Sequence, residues 1–527
     1  MRNLVIIIFL AMSGIFRFHF ADAKIIRVPE DSSTIQGGIN GALNGDTVLV
    51  SQGVYYERIN FLGKKILVAS NFIFDQDTST IDSTVIDADT SILGTSDTGS
   101  VVCFVWEEDS SSKIWGFTLR NGYGLRFSEY TYGGGIACFS SSPQIGYNRI
   151  VDNSAYYGGG ICCFEGNLSP LIIGNRFMEN HAAIGGAILC ESSSPLVIEN
   201  AFFNNHADIK GGAIFFKICS PRLIDNHFEK NSTDGYGGGI CGHSGSLTLL
   251  ENRIIRNGCE TLGGGLYCAA LDSTQIGNNL FFGNSAQDGG GVYSLNCSSL
   301  IFNNTIVKNS ADYKGGGILC EGSVYYPVIV NNLVCLGIKG EGIRCDNNSH
   351  PFISYNDVWG NMGGNFYGCP AGVGDTCWGN NFNDVPSDSF YNIMKDPLFV
   401  DTLNFRLTCH SPGVDAGDPS YFVLSDSGGC RVDMGFWEYP YILGDANSDG
   451  AISLHIFNQI DRGSRLAGKD LVTVEDIVFM VNYIFLGGTQ SCPFHSADTN
   501  CDGRVNIADI VCLLNYLFVQ GPLPCSL

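Results

Sequence analysis

The chain has 527 residues, longer than one compact core sustains, so it either divides into several domains or extends as a repeat. Its 67 glycines exceed the usual share of about 7%, and its charged residues, at 15%, fall short of the usual figure of about 25%; this composition excludes a coiled coil and a charge-rich disordered chain. With 52 acidic against 29 basic residues and a net charge of −23, the chain lacks a Lys/Arg-rich surface for phosphates, and no nucleic-acid partner is expected.

At the N-terminus Arg2 precedes an apolar run from Leu4 to Met12, and Ala21-Asp22-Ala23 supplies small residues before Lys24. Residues 1–23 read as a secretory signal peptide. A transmembrane anchor needs about 20 unbroken apolar residues, and Arg17 and His19 interrupt this run. No later segment reads as a span, so the mature protein is expected to be secreted, extracellular or attached to a cell surface through a partner. Its 21 cysteines are an odd number, which in an oxidising compartment implies a free thiol or an external bridge.

From about residue 100 to 360 a glycine-rich signature ending in an aliphatic residue recurs. Gly133-Gly134-Gly135-Ile136, Gly185-Gly186-Ala187-Ile188, Gly237-Gly238-Gly239-Ile240 and Gly315-Gly316-Gly317-Ile318 are examples, and successive copies lie 25 to 27 residues apart. That period marks a solenoid. Each unit also carries two asparagines around a large apolar residue, as in Asn175-Arg176-Phe177 with Asn180 and Asn226-His227-Phe228 with Asn231. Between them run short alternating stretches with no helical periodicity, so each unit reads as two or three short strands joined by tight turns. One coil per unit, stacked by parallel ladders, makes an all-β solenoid, a parallel β-helix. Glycine permits the positive φ that corners require, and an Asn amide can bond the Asn one coil above. These residues are structural and are not assigned to catalysis.

Two residues after each aliphatic position come Cys138, Cys163, Cys190, Phe216, Gly242, Cys268, Ser294, Cys320 and Cys345. Alternation turns this column inward, where cysteine acts as a small hydrophobe. The coil spacing of about 4.8 Å is slightly long for a relaxed disulfide between neighbours, so a buried thiol ladder is preferred to a metal site.

The Phe-x-x-Asn and Gly-Gly-Ala-Ile elements, as at Phe177 to Asn180 and Gly185 to Ile188, resemble the repeats of polymorphic outer-membrane proteins and of right-handed parallel β-helix proteins with a pectin-lyase-like fold. The opening segment, Ile26-Arg-Val-Pro29 with Ser33-Thr-Ile-Gln36 and Asn44 to Val50, is similar to the N-terminal strand and cap helix of secreted bacterial members. That resemblance implies a cap helix near 32–43. The segments Asp396 to Asp401, Ser411 to Asp418 and Asp433 to Glu438 resemble the closing coils, and the resemblance extends the β-helix over 24–440. Nothing here resembles the membrane barrel that ends a typical outer-membrane relative.

Residues 441–527 carry the clearest ligand pattern. From Asp498 the chain places Asp498, Asn500, Asp502, the Arg504 carbonyl, Asn506 (through water) and Asp509 at positions 1, 3, 5, 7, 9 and 12 of a calcium loop, with Gly503 at the bend. An apolar helix from Ile510 to Phe518 is expected to follow. A second such helix runs from Val474 to Phe485, but the matching ligands Asp445, Asn447, Asp449 and Asp476 are separated by an insertion of about twenty residues; without a gap, position 12 is Ile456, which cannot ligate. Two EF-hand-like loop-helix repeats forming a small all-α module resemble a type I dockerin. That resemblance implies calcium as cofactor, a cohesin-like scaffold or surface protein as partner, and attachment to a polysaccharide-associated protein. Cys492, Cys501, Cys512 and Cys525 are extra to the dockerin pattern and are expected to form disulfides, Cys501 with Cys525 first.

On the β-helix, the position before the repeat Asn gives Glu199, Asp225 and Glu251 on successive coils, and the position after it gives Arg176, Ala201, His227 and Arg253. Stacked carboxylates beside His and Arg could hold calcium against a sugar carboxylate or act as an acid/base pair, while the bland reading is an exposed salt-bridged ladder. Gly242-His243 is a faint match to the Gly-His-Gly element of polygalacturonases, whose other elements are absent, and the acidic balance disfavours an anionic substrate unless calcium bridges it. The aromatic segments Gly122–Tyr132 and Asn361–Asn392 read either as walls of a sugar-stacking cleft or as surface loops. The sequence supports an exported polysaccharide-associated binding or structural protein, with a polysaccharide lyase or glycoside hydrolase as the alternative.

Overall fold

The computed structural model describes residues 23–89, 91, 99–166, 169–322, 325–375, 379–418, 420, 432–436, 480–481, 484 and 505–519. Residues 1–22 of the signal segment, and the candidate ligands Asp445, Asn447, Asp449, Asp476, Asp498, Asn500, Asp502 and Arg504, lie outside these residues.

The chain opens with strand Ile25–Val28, which pairs in parallel with Thr47–Val50, itself paired with Leu67–Ser70. Between the first two lies the cap helix Ile35–Gly41, inside the range expected from sequence. Thr34 caps it, its hydroxyl accepting from Gly37 N–H at 3.0 Å, and the Glu57 carboxylate accepts from the free Ile35 and Gln36 N–H groups at 2.8 and 2.9 Å. An acceptor and a negative charge at the N-terminus satisfy orphan donors and oppose the helix dipole. Ile35 and Ile39 are fully buried over the first coil, so the solenoid's N-terminal end is closed rather than left as bare edges.

A central coil shows how the repeat is built. Ile188–Glu191, Leu196–Ile198, Ala201–Phe203 and His206–Lys210 are four strands, not the expected two or three. They are only three to five residues long, too short for periodicity to separate them in sequence. The first two strands of each coil belong to one large sheet of 23 strands, the third to a sheet of 12 and the fourth to a sheet of 9. We call these the first, second and third sheets. Coil follows coil in parallel register: Ile161 pairs with Ile188, Phe177 with Phe202, and Ala182 with Ala207. The last of these begins at the register pair His181–His206.

The glycine signature lies between the third sheet and the next coil's first strand. Gly211 takes φ +68°, a conformation costly for side chains. A Cβ on the following Gly212 would lie 2.2 Å from the Gly238 carbonyl of the next coil, so packing as well as backbone conformation demands glycine. The third position tolerates Ala, as Ala187 and Ala213 show.

Inside, the asparagines form two ladders along the axis. In one, Nδ2 of Asn175, Asn200, Asn226 and Asn252 each donates to Oδ1 of the next Asn at 3.0 to 3.1 Å. The ladder continues to Asn392, whose amide donates to both oxygens of the buried Asp388. A carboxylate can only accept, so Asp388 terminates the donor chain. The cysteine column also faces inward as expected: Cys138 pairs with Cys163, Cys163 with Cys190 and Cys320 with Cys345, all buried and unbridged. Gly242 sits in this column because the Phe216 ring of the preceding coil occupies the space of its Cβ, at 2.1 Å.

The C-terminal part departs from expectation. The described residues between 394 and 436 do not add further coils; they fold back over the outer face of the second sheet. Ile393, Leu407, Val414, Ala416 and Met434 pack on Leu333, and Phe405 seals Leu280, Val307 and Cys335. The backbone N–H of Phe436 donates to Thr305 Oγ1 at 2.9 Å. Here most outward residues of the second sheet, among them Leu280, Val307, Leu333 and Cys335, are apolar, which drives the segment back onto them. Further on, the helix Ile507–Val519 begins three residues earlier than expected. Among the described residues no helix is long and apolar enough to cross a membrane.

Candidate functional site

The second sheet presents two outward columns, because alternate residues of a strand face the same side. The first runs Arg149, Arg176, Ala201, His227, Arg253, Leu280. Two residues further along each strand, the second runs Val151, Met178, Phe203, Glu229, Ile255, Phe282. The sequence signalled the basic members of the first column, and the structure brings them together with the second.

Phe203 is the hub. The Arg176 guanidinium lies 5.5 Å from its ring centroid, within cation–π range, and the His227 ring lies 5.4 Å away on the other side. His227 Nε2 is 3.1 Å from Glu229 Oε2, and Arg256 reaches Glu229 at 3.7 Å while covering Phe282. Arg253 donates to Asn404 Oδ1 at 3.1 Å. Desolvation holds the Arg253 pKa below its ordinary value, while Asp401 and Glu229 oppose that shift. Both Asn404 and Asp401 come from the folded-back segment.

Two walls bound this strip. On the N-terminal side the helix Thr78–Ser83 packs beside the sheet, with Thr118 Oγ1 donating to Ile81 O at 2.9 Å and Arg149 ion-paired to Asp82. On the C-terminal side the folded-back segment begins at Arg253 and covers everything from Leu280 onward. The open stretch from Arg149 to Arg253 spans four coil steps, about 19 Å at about 4.8 Å per step. It is a shallow, basic and aromatic trough on an acidic protein.

The carboxylates Glu199, Asp225 and Glu251 do stack, but elsewhere. They occupy the corner between the first and second sheets with φ of +55°, +52° and +61°. Tyr147, Gly174, Asn278, Asn303, Asn331 and Tyr355 fill the same left-handed corner on other coils, so the position is defined by backbone conformation. Partial desolvation raises the Asp225 pKa, and the charges of Glu199 and Glu251 raise it further. Among the described residues no hydrogen bond or ion pair joins these carboxylates to His227 or Arg253, whose partners are Glu229 and Asn404. The expected salt-bridged ladder of carboxylates and bases is therefore two separate features, because a corner residue and a strand residue two positions on point in different directions.

Sequence reasoning missed Phe203, Glu229, Arg256 and the contact with Asn404. The first two were readable in principle, since they lie two residues beyond the basic column on the same face; Asn404 was not, being 151 residues from its partner Arg253. The aromatic segment Gly122–Tyr132 folds as a hairpin, Leu125–Phe127 against Tyr130–Tyr132. Its rings pack on those of Tyr156, Tyr157, Phe139 and Phe164. Segment Asn361–Asn392 supplies the last Asn of the ladder and the terminating Asp388. Of the proposed calcium ligands, Asn506 and Asp509 are described: Asp509 Oδ2 accepts from Asn506 N–H at 2.8 Å and Asn506 Oδ1 from Ala508 N–H at 2.8 Å, a reciprocal cap at the start of the final helix.

Residues 109–254 match the family model described as a right handed beta helix region. The solenoid is a right-handed parallel β-helix. Residues 223–389 of this β-helix match the model described as periplasmic copper-binding protein (NosD). No curated protein matches the chain. Among solved structures it is similar to the PL6 family alginate lyase AlyGC, with 11% identity, a TM-score of 0.26 and coverage of 71% of this chain. The chain spans 57% of that lyase's length, and so distant a likeness carries nothing about the site.

Proposed function

We propose that the protein is an exported β-helix that binds an acidic polysaccharide along the trough of its second sheet. The observation that carries this reading is the alignment of Arg176, Phe203, His227 and Arg253 across successive coils. Guanidinium groups pair with sugar carboxylates, and aromatic faces take the apolar side of sugar rings. The net charge argued against an anionic ligand, but the trough concentrates basic residues locally, and local potential governs association more than net charge does. Export is supported by the signal-like residues 1–23 and by the likeness of 223–389 to a family named as periplasmic. The calcium module at 441–527, engaging a cohesin-like partner, would hold the β-helix at a surface or scaffold; its support is the ligand spacing from Asp498 to Asp509.

Affinity electrophoresis in gels containing a polyuronate, a sulfated glycan or a neutral glucan tests the binding. The full chain is expected to be retarded by an acidic glycan and not by the glucan, and Arg176→Ala/Arg253→Ala to migrate as if no glycan were present. Equal retardation of wild type and double variant refutes the trough as the binding surface.

One observation favours lyase chemistry as a second reading: His227 is oriented by Glu229 within the trough, as a general base would be. Unsaturated uronate released by wild type and lost in His227→Ala, with glycan retardation unchanged, supports that reading.

A further inference from the structure

The third sheet carries a side-chain cluster with no part in the trough. His181 and His206 share one register on adjacent coils, each following a buried ladder asparagine, Asn180 or Asn205. Their rings stack with centroids 5.5 Å apart and planes 8° from parallel. Asp208 Oδ1 closes the group, 2.9 Å from His181 Nε2 and 3.7 Å from His206 Nε2. All three ligand atoms lie within 4.8 Å of one another, and Asp234 Oδ1 on the next coil is 3.8 Å from His206 Nε2.

Two further features shape the group. The strand His206–Lys210 carries a β-bulge: Ala182 pairs with Ala207, but Ile184 pairs with Lys210. A bulge re-aims the side chain beside it, here Asp208. The same bulge recurs where Ala286 pairs with Ala311 and Asp288 with Lys314. There serines 285 and 310 stand in the histidine positions, and the equivalent Asp312 is paired with Lys339 at 2.9 Å. The bulge is thus a property of the fold, and the paired histidines are specific to this coil. Second, His206 Nδ1 lies 2.9 Å from Ser232 Oγ. A metal ion at Nε2 requires the imidazole proton on Nδ1, and Ser232 is placed to accept it, as outer hydrogen bonds to metal-bound histidines do.

The geometry points to a binding site for a divalent first-row transition metal, of which Zn2+ is the test ion, held by His181 Nε2, His206 Nε2 and the Asp208 carboxylate. Imidazole nitrogens favour such metals over calcium and magnesium. Zinc–ligand bonds of about 2.0–2.2 Å put tetrahedral ligand atoms about 3.4 Å apart, in the middle of the separations here. The side chains of His181, His206 and Asp208 are 49%, 36% and 50% exposed, so the fourth position is open to Asp234, water or a ligand of the metal. Protonated histidines would make the same contacts with Asp208, and metal titration separates the two.

Isothermal titration of the full chain with ZnCl2, in millimolar calcium to saturate oxygen-ligand sites, tests the inference. Wild type is expected to bind one zinc equivalent more than His181→Ala/His206→Ala, whose circular dichroism should be unchanged because both side chains face outward. Ser232→Ala should weaken that equivalent about tenfold, and Asp312→Asn should leave it unchanged. Identical zinc stoichiometry and affinity in wild type and the double histidine variant overturns the site, as does zinc binding lost equally in Asp312→Asn.

Discussion

Replacing Asn226 by Ala tests whether the inner ladders hold the coils together. The Asn226 side chain donates to Asn252 Oδ1 at 3.0 Å, Val197 O at 2.9 Å and Ile224 O at 3.0 Å. Its Oδ1 accepts from the backbone N–H and the Nδ2 of Asn200, at 2.9 and 3.1 Å. Without it Asn200 Nδ2 keeps Ile172 O and Ile198 O, and Ile224 O keeps Glu199 N–H. The buried Asn200 N–H loses its partner in a region closed to water. One orphaned donor costs about 1–3 kcal/mol and each unreplaced bond about 0.5–1.5 kcal/mol, so Asn226→Ala should lose about 3–5 kcal/mol. Asn226→Asp should be at least as costly at pH 7, since it sets a carboxylate against three acceptors. That burial raises its folded-state pKa, so the deficit should shrink as the pH falls through that value. Guanidinium unfolding gives the total, and native-state hydrogen exchange places it, because a solenoid opens locally around a weakened interface. A loss below about 1 kcal/mol, or one not centred on the coils of Asn200 and Asn252, refutes the reasoning.

Gly238→Ala should destabilise by about 3 kcal/mol or prevent folding, since its Cβ would meet the Gly264 carbonyl at 2.5 Å. Gly239→Ala should cost a comparable amount, because its Cβ would meet the Gly265 carbonyl at 2.6 Å, although Ala187 and Ala213 stand at that place on other coils; thermal melts of the two variants check this, and a loss under about 1 kcal/mol in both would contradict the account. Burial pushes the thiols of Cys138, Cys268 and Cys320 up, so they should resist a thiol-specific disulfide reagent in the folded protein and react fully in guanidinium; mass spectrometry locates any early label. Asp225 has a raised folded-state pKa, so its carboxylate opposes folding at neutral pH and ceases to do so as it protonates. Asp225→Asn should therefore raise the melting temperature at pH 7, by about 1 °C, and the charge-dependent part of the gain should vanish near pH 3. For the C-terminal module, chelation of calcium should lower its calorimetric transition by several degrees, since bound metal at about a hundredfold excess over Kd contributes about 2.7 kcal/mol; an unshifted transition would remove the calcium loop from consideration.

The repeat was legible because every coil meets the same constraints. A left-handed corner asks for glycine at Gly211, the approach of the Gly238 carbonyl asks for it again at Gly212, and the ladder asks for Asn at Asn200 and Asn226. Those demands recur every 25 to 27 residues and leave a period. The candidate site was legible only in part. Arg176, His227 and Arg253 could be aligned by counting from the ladder asparagines, but Glu199, Asp225 and Glu251, equally well aligned, sit in a corner with its own direction. Histidines 181 and 206 shared that alignment and passed unnoticed, because only the bulge in His206–Lys210 brings Asp208 to them.

Sequence alone determined the coil: its length, the inward face and the thiol column follow from local conformation and from stacking between neighbours, which every repeat records, while the capping helix was expected only from the resemblance of the opening segment. Tertiary structure decided what happens on the outside. The return of the described residues between 393 and 436 over the second sheet depends on apolar residues such as Leu280, Val307 and Leu333, scattered at single positions in separate coils and meeting only after stacking. That return closes one end of the face, leaves Arg149 to Arg253 open, and so makes a bounded trough out of a continuous sheet. The physical reason is range: corner and ladder energies act within a coil or between adjacent coils, whereas burial of a patch assembled from many coils has no counterpart in any short stretch of chain.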